Sequence, residues 1–531
     1  MQLSRRFLRQ IPLFDKMMTQ SLESFKTINL SGICLLAAAI YVVSFIIYRL
    51  YFHPLCGIPG PRLAAITSWY ETYYDLFKTP SGQYWNKIDE LHKEYGPIIR
   101  INPDEIQIHD PEFYNQIYAG GSTKRHRYAR SVSGNGSPGS MASAVSHDLH
   151  RLRRSSLNPF FSRAAVLRLE ERIQSRVRIL CERLSSFLQR GEIVDMSVAM
   201  TSLTLDIITE YSFGESWNLM DNDDLSYNFI KVMRGGFETL QVRKLFNSAI
   251  QLVPPSILAW SSLNMKVFLE FKYRCFETCR LIKIAHNDTK ANSTTRQTQI
   301  NLFTEALDRL PEEEIETQRL ADEALVLITA GSETTSRALA TLIYHVLRNP
   351  HILANLRQEL DTAIPNANME VPYLTLEALP YLTATIRESL RVSALVPNRS
   401  LLTADEPLQY KQWSLKPGTA FCMNTSKYLL DASIYSNPTM FDPERWLGDT
   451  RRTQKLLHHF APFSKGHRGC IGMNLAYAEL YLVSAYIIRR FDMRLYDVIR
   501  ERDVDTVRDA FIGLPSIESK GVRVEMIRKR N

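Results

Sequence analysis

The residues from Phe463 to Gly472, FSKGHRGCIG, place a cysteine in a setting that suits a metal ligand. Gly466 and Gly472 let the backbone turn closely around the sulfur of Cys470, so that amide N–H groups can reach it. An apolar-periodic stretch over residues 473–490 follows directly and predicts a helix. Because a thiol beside a helix N-terminus has a lowered pKa, the loop indicates a thiolate ligand at Cys470.

A zinc site is the main alternative for this loop. His467 and Cys470 could supply two ligands, but the sequence holds no second Cys/His pair at zinc-ligand spacing. The seven cysteines are irregularly spaced and include no CxxC pair, which excludes a disulfide framework and indicates a reducing compartment. Cys275 and Cys279 lie one helical turn apart, and we expect both to be buried thiols.

Two further motifs carry polar residues on predicted helices. AGSETT, residues 330–335, lies inside a long apolar-periodic stretch, where polar side chains are unfavourable unless they face a cavity or bond to the backbone. Taken alone, it is more typical of a solvent-facing Ser/Thr run. Glu388 and Arg391 are three residues apart and can pair on one helix face, which in isolation would be a weak surface ion pair.

Together these motifs resemble those of the cytochrome P-450 superfamily, and the likeness extends over nearly the whole chain. Phe463, Gly466, Arg468, Cys470 and Gly472 fit the family pattern FxxGxRxCxG. The resemblance implies a mainly α fold, with a large helical domain and small β-sheets, and haem b as cofactor. Cys470 would be the axial ligand of the iron, where a thiolate promotes O–O cleavage. Arg468 would pair with a haem propionate, and Phe463 would pack near the sulfur.

The resemblance also assigns roles to the AGSETT motif. Ala330 and Gly331 would open a kinked groove beside the iron where oxygen binds. Glu333 and Thr334 would act as an acid–alcohol pair that relays protons to this groove.

A buried ion-pair network is implied by the same resemblance. Arg445, in the segment FDPERW, would join Glu388 and Arg391. The three residues would clamp the cysteine loop to the core.

Three residues are implied as further partners of the haem propionates. In HRLRRSSLNPFFS, His150 and Arg154 fall where the family places a propionate-binding pair, with His in place of the usual Trp. Arg399 in SALVPNRS is the third candidate, although the usual Pro-Arg dipeptide is missing there. We expect Arg151 and Arg153 to lie on the surface and to face a reductase.

An uncharged, mostly apolar run between Lys26 and Arg49 is long enough to cross a bilayer. A signal-peptide core or a buried helix is the alternative, but no small-residue cleavage site follows the run. The predicted organisation is an N-terminal leader (1–27), a transmembrane anchor (28–48), a proline-rich hinge (49–62) and a catalytic domain (63–531).

The orientation of this anchor is not settled by charge. Basic residues before the span favour a cytoplasmic N-terminus, whereas the resemblance implies a single-pass protein of the endoplasmic reticulum with a cytosolic catalytic domain. Initiation at Met17 or Met18 instead of Met1 would remove four of the five basic residues and reconcile the two.

The net charge of +8 over 531 residues is moderate. Because Lys and Arg are interleaved with Asp and Glu, the pattern argues against nucleic-acid binding and fits a solvated face, an anionic membrane surface or an acidic redox partner. Two β-hairpins are predicted, one over residues 98–109 and one over 408–424, with KPG as the turn of the second.

The resemblance implies five stretches that would line the substrate pocket. The last of them, in AFIGLPSIES, and the inner face of ADEALVLITAG are mainly apolar. An apolar cavity fits a terpenoid, fatty or polyketide-derived skeleton. Among the five stretches, residues 120–145 are rich in Gly and Ser and predict a mobile access loop. The implied stretches are 120–145, 225–262, 322–334, 392–398 and 511–517.

Segments such as RLYFHPLCGIPGPRLAAIT resemble filamentous-fungal members of secondary metabolism, above all the sesquiterpene (trichodiene-type) oxygenases. This implies a monooxygenase that hydroxylates or epoxidises a lipophilic intermediate. Electrons would come from an NADPH–cytochrome P-450 reductase, with cytochrome b5 as a second candidate donor, since no GxGxxG follows a strand in this chain. The alternatives are a housekeeping sterol or fatty-acid hydroxylase, a haem-thiolate isomerase or dehydratase, and a non-catalytic haem sensor.

Overall fold

A computed structural model of the chain describes residues 11–250, 252–291, 301–366 and 369–530. Helices dominate, as the apolar periodicity predicts. The helices of ten or more residues are α1 (Ile11–Ile47), α2 (Tyr84–Tyr95), α3 (His147–Leu157), α4 (Glu170–Arg190), α5 (Met196–Phe213), α6 (Tyr227–Glu238), α7 (Leu240–Ile250), α8 (Leu263–Ala291), α9 (Thr317–Arg348), α10 (Pro350–Ala363), α11 (Pro380–Val392), α12 (Thr450–His459) and α13 (Met473–Arg490).

Shorter helical segments connect these helices. They are Tyr48–Phe52, Arg62–Ile66, Trp69–Thr72, Tyr73–Phe77, Pro111–Phe113, Tyr114–Ile117, Ala129–Val132, Arg163–Arg168, Leu219–Asp221, Pro255–Ser261, Leu302–Arg309, Glu312–Glu314, Tyr373–Glu377, Thr425–Leu429, Pro443–Trp446, Gly466–Arg468 and Arg500–Asp503.

The strands are short and form small sheets. They are β1 (Ile98–Asn102), β2 (Glu105–Ile108), β3 (His126–Arg127), β4 (Ile193–Asp195), β5 (Leu402–Thr403), β6 (Leu408–Tyr410), β7 (Trp413–Leu415), β8 (Ala420–Cys422), β9 (Phe491–Leu495), β10 (Arg508–Ala510), β11 (Ile512–Leu514) and β12 (Arg523–Lys529). The sheet orders are β1-β2-β8-β5-β3, β4-β12-β9, β10-β11 and β6-β7. The predicted fold class is confirmed.

One predicted hairpin is present and the other is wrong. Strands β1 and β2 pair antiparallel, with Ile98 opposite Ile108. In the second segment, Tyr410 pairs with Trp413, so the chain turns at Lys411 and not at KPG, and β8 pairs with β2 and β5 instead. Lys411 has a φ of 50°. A lysine in this left-handed conformation gives no turn signal in the sequence.

Helix α9 runs through the core and packs against α5, α8 and α13. Gly331 permits the contact with α5, because a Cβ at this position would lie 2.9 Å from Cγ1 of Ile208. Helix α9 is α-helical through residues 330–335. The groove that the resemblance implies at Ala330 and Gly331 stays a prediction.

The stretch Leu30–Phe52 is long and apolar enough to cross a membrane. It has a mean hydropathy of 2.5 and no buried residues. It begins and ends slightly later than the predicted anchor (28–48), and the first ten residues of the predicted leader lie outside the described part of the chain. The hinge that follows is fixed to the body. Nη1 of Arg49 lies 2.6 Å from Oδ1 of Asp104, and the Arg100 amide donates to the Pro59 carbonyl at 2.8 Å.

Candidate functional site

The cysteine loop is held by close backbone contacts. Gly466 has a φ of 69°, and a Cβ there would overlap the carbonyl oxygens of Tyr118 and Ala119, so this position accepts glycine alone. The amide of Cys470 donates to the Phe463 carbonyl at 2.8 Å, which closes the loop. Helix α13 begins three residues after Cys470, as its apolar periodicity predicted.

The Cys470 thiol has the surroundings of a metal ligand. The residue is accessible to solvent, yet enough protein surrounds the sulfur for burial to raise the pKa of its thiol. The Gly472 amide and the positive charge of Arg154 act in the opposite direction and lower that pKa. Coordination to iron would complete the ionisation, because a coordinating thiol is deprotonated. The ring of Phe463 lies 5.1 Å from that of Tyr477, which packs it beside the loop.

A cluster of cations lies beside this loop without acidic partners. Within the described residues, no carboxylate lies within 4 Å of the guanidinium groups of Arg127, Arg154 or Arg468. Arg154 donates to the Gly469 carbonyl at 2.6 Å, and Arg468 donates to the Ala144 carbonyl at 2.9 Å. Burial, and then the charge of Arg127, lowers the pKa of Arg468 to about 9.

The same cluster includes His150, whose pKa is lowered to about 3 by burial and then by Arg468, Arg154 and Arg127. Its ring is therefore neutral at neutral pH. A concentration of unpaired positive charge is unfavourable unless an anion neutralises it. The carboxylates of the two haem propionates are anions of this kind, and Cys470 would be the iron ligand. The residues present thus fit a haem.

The sequence did not indicate Arg127 as a member of this cluster, because the residue lies in the segment interpreted as a mobile access loop. Its Nε is buried and has no hydrogen-bond partner, and burial lowers its pKa. It lies in strand β3, where it pairs with Leu402 of β5. Strand β5 follows the stretch SALVPNRS, which lacks the usual Pro-Arg dipeptide. The missing arginine could have indicated that another cation takes its place nearby.

Arg399 lies elsewhere and does not join the cation cluster. It forms a buried ion pair with Glu71, and its Nη2 lies 3.6 Å from Oδ2 of Asp75. Its guanidinium also covers the ring of Tyr84, 4.7 Å from the centroid. Burial raises the pKa of Glu71, but the charges of Arg399, Lys244 and Arg130 outweigh it and hold the pKa below its ordinary value. These contacts make Arg399 part of the packing between residues 69–77 and the sheet.

Glu388, Arg391 and Arg445 come together in one buried network. Glu388 receives two hydrogen bonds from Arg391, at 2.7 and 2.9 Å, and one from Nε of Arg445 at 3.2 Å. Trp446, which the sequence did not indicate, donates to Glu388 at 2.9 Å. The Trp446 ring then lies 4.9 Å from that of Phe460, three residues before the cysteine loop. This chain of contacts connects α11 to the loop.

Arg391 also binds three backbone carbonyls and is fully buried. It donates to Leu429, Pro438 and Met440 at 3.2, 2.6 and 3.0 Å. The segment between β8 and α12 is therefore anchored to α11 through one side chain.

Glu333 and Thr334 are adjacent in α9 but face different cavities. Thr334 and Ala330 line an apolar cavity of about 200 Å³. Glu333 lines a polar cavity of about 420 Å³ and pairs with Arg234 of α6, whose Nε lies 3.1 Å from its Oε2. Arg234 was not indicated by the sequence. The Thr334 hydroxyl donates to the Ala330 carbonyl at 2.8 Å.

The apolar cavity draws on four of the five predicted stretches. Residues 135–142, 229–243, 325–334 and 511–512 contribute to it, whereas residues 392–398 do not line it. Val267, Phe268 and Phe271 of α8 complete the wall and were not foreseen.

Two further expectations concern α3 and the access loop. Arg153 is not a surface residue, because its Nε lies 2.7 Å from Oε2 of Glu314 in a buried pair. Arg151 is exposed, as expected. The end of the predicted access loop is tied to α9, where Asp322 accepts from the Gly139 amide at 2.8 Å.

Comparison with known proteins agrees with this geometry. The Cytochrome P450 family model matches residues 66–515. The chain is 36% identical to the tryptophan 6-hydroxylase of Fusarium equiseti, over 94% of this chain and 98% of that one. It is also 36% identical to the conidiogenone synthase of Penicillium rubens and to the N-acetyltryptophan 6-hydroxylase of Emericella nidulans, over 92% and 93% of this chain and 98% and 97% of theirs.

Solved structures share the fold. A crystal structure of a cytochrome P450 superimposes with a TM-score of 0.67 at 18% identity, covering 86% of this chain and 96% of that one. The haem domain of a second cytochrome P450 gives 0.67 at 19% identity, covering 87% and 95%. With the cysteine loop, the cation cluster and the family match in agreement, this chain belongs to the cytochrome P450 family of haem-thiolate monooxygenases.

Proposed function

We propose that this enzyme is a membrane-anchored haem b monooxygenase that hydroxylates or epoxidises a lipophilic intermediate of fungal secondary metabolism. The observation that carries the proposal is the apolar cavity that Ala330 and Thr334 share with aromatic residues of α6 and α8. Bound haem supplies oxygen activation and the insertion of one oxygen atom. The relatives named for hydroxylation of tryptophan and N-acetyltryptophan, and for synthesis of conidiogenone, support a biosynthetic role.

The residues of the chain have distinct tasks in this reaction. Cys470 holds the iron, and Arg468, Arg154, His150 and Arg127 hold the propionates. The apolar cavity binds the substrate skeleton and excludes water from it. Glu333 and Thr334 deliver protons to the oxygen-binding side of the haem, with Glu333 drawing them from the polar cavity.

Electrons come from an NADPH–cytochrome P450 reductase, with cytochrome b5 as a second donor candidate. The apolar stretch Leu30–Phe52 supports anchoring in the endoplasmic reticulum membrane, with the catalytic domain in the cytosol beside the reductase.

N-terminal sequencing of the native protein tests whether translation starts at Met17 or Met18. A peptide that contains Arg5 or Arg9 would contradict this start.

The experiment for the biosynthetic role is gene deletion, followed by mass spectrometry of culture extracts. We expect a lipophilic precursor to accumulate and its oxygenated products to disappear. Unchanged secondary metabolites with altered sterols or fatty acids would favour the housekeeping hydroxylase. An isomerase or dehydratase would give a product that has gained no oxygen atom from O2.

A further inference from the structure

The apolar cavity beside Ala330 and Thr334 contains one buried cation. Helix α7 places Arg243 in the cavity wall, with the side chain lining the same space. Arg243 is 8% exposed, and its guanidinium carbon lies 4.4 Å from the centroid of the Phe268 ring. The ring therefore covers one face of the guanidinium.

This cation has no partner of its own. Nε and Nη1 of Arg243 are buried without a hydrogen-bond partner, and no carboxylate of the described residues lies within 4 Å. Three other buried arginines differ in this respect. Arg153, Arg319 and Arg391 each pair with a glutamate.

The backbone at Gly136 also fixes the position of the guanidinium. A Cβ at Gly136 would lie 2.7 Å from Nη1 of Arg243, so the side chain packs directly against that glycine. Burial lowers the pKa of Arg243 to about 10, which leaves it charged at neutral pH. A buried charge without a counter-ion is unfavourable, and an anion that enters the cavity would relieve this cost.

We propose that Arg243 binds a carboxylate of the substrate, so that the enzyme acts on lipophilic acids. This inference rests on the proposed monooxygenase function and specifies its substrate class. A guanidinium and a carboxylate form paired, charge-assisted hydrogen bonds, which fix orientation as well as charge. A single cation in an otherwise apolar cavity suits one negative charge.

The proposal gives the substrate a direction in the cavity. Its carboxylate would bind at Arg243, and its apolar skeleton would extend past Phe271 and Leu325 towards Ala330 and Thr334. The distance from the acid to the oxidised carbon would then be set by the length of the skeleton. Oxidation would fall on carbons remote from the carboxylate.

The test uses the full-length, haem-loaded enzyme and a series of ω-imidazolyl alkanoic acids of increasing chain length, each beside its methyl ester. The imidazole binds the haem iron and shifts its absorption band, so dissociation constants are measurable for acids and esters alike. We expect the acid of best-fitting length to bind about tenfold to a hundredfold more tightly than its ester. Arg243→Gln should remove this preference, and Arg243→Lys should retain part of it.

Lys231→Gln is the matched control, because Lys231 is exposed on α6 and lines the polar cavity, so the substitution removes a nearby positive charge outside the apolar cavity. The control should keep the preference for acids. The proposal is overturned if acids bind no more tightly than esters at any length, or if Arg243→Gln leaves the preference intact. Equilibrium binding needs neither reductase nor turnover, so this result and the proposed oxygenation can fail independently.

Discussion

Arg234 holds the carboxylate of Glu333 from the side of the polar cavity, with Nε of Arg234 lying 3.1 and 3.2 Å from the two carboxylate oxygens. Arg234 also donates to the Thr201 hydroxyl at 2.7 Å, which fixes the guanidinium on α5. The next residue, Thr334, lines the apolar cavity instead. The acid and the alcohol thus lie on two sides of α9, the acid towards charged residues and the alcohol towards the apolar cavity.

Glu333→Gln tests whether this acid carries protons. The amide keeps the size of the side chain but cannot act as an acid or a base near neutral pH. We therefore expect turnover to fall about a hundredfold. Substrate binding, read from the haem absorption spectrum, should be unchanged because Glu333 lies outside the apolar cavity. Glu238→Gln is the control, since Glu238 lines the same polar cavity. Full turnover in Glu333→Gln would exclude the relay.

Arg127→Gln tests the cation cluster. The substitution would remove the positive charge that we propose to bind a haem propionate. With apomyoglobin as the acceptor of released haem, we expect the variant to lose haem about tenfold to a hundredfold faster than the wild type. Arg151→Gln, an exposed substitution on α3, should release haem at the wild-type rate. Equal rates for the two variants would show that Arg127 does not contact the haem.

Arg391→Ala tests the network around Glu388. Removing one member of a fully buried ion pair typically costs about 3–5 kcal/mol of stability. We therefore expect haem-free, misfolded protein, measured as the ratio of haem absorption to protein absorption after purification. Arg451→Ala, exposed on α12, is the control. A normally haem-loaded Arg391→Ala variant would contradict the role of the network.

Glu479 makes stability depend on pH. Burial raises its pKa well above the ordinary 4.5, and its Oε1 is buried without a partner. The native state therefore keeps a proton that the unfolded state releases above the ordinary value, so the free energy of unfolding falls by about 1.4 kcal/mol per pH unit as pH rises between the two pKa values.

Glu479→Gln removes the titrating carboxyl group, so neither the native nor the unfolded state gains or loses a proton at this position. We expect the variant to be more stable than the wild type at about pH 8, and the difference to shrink at about pH 5. Urea denaturation at the two pH values measures it, with the exposed Glu501→Gln as control. A difference that does not change with pH would show that Glu479 is ionised in the native protein.

The parts of the site that the sequence predicted are those with fixed spacing along the chain. Cys470 and Gly466 lie in one loop, and Glu388 and Arg391 lie three residues apart on one helix. Such local relations follow from backbone geometry alone. The helical fold class is equally local, because it depends on apolar periodicity.

The contacts that escaped prediction join distant segments. Arg127 reaches the cation cluster through the pairing of β3 with β5, and Arg234 reaches Glu333 across 99 positions of sequence. Arg399 was assigned to the haem by its neighbourhood in the sequence, but a buried glutamate in another segment binds it. The partner of a lone cation depends on packing that no single motif encodes.

The central claim is that the Cys470 thiolate binds the haem iron, and a carbon monoxide difference spectrum of the reduced enzyme tests it most directly. We predict the red-shifted band of a thiolate-ligated haem in the wild type and in Cys56→Ser, whose cysteine is exposed near the hinge. In Cys470→Ser this band should be absent. A Cys470→Ser variant that keeps the band would contradict the account.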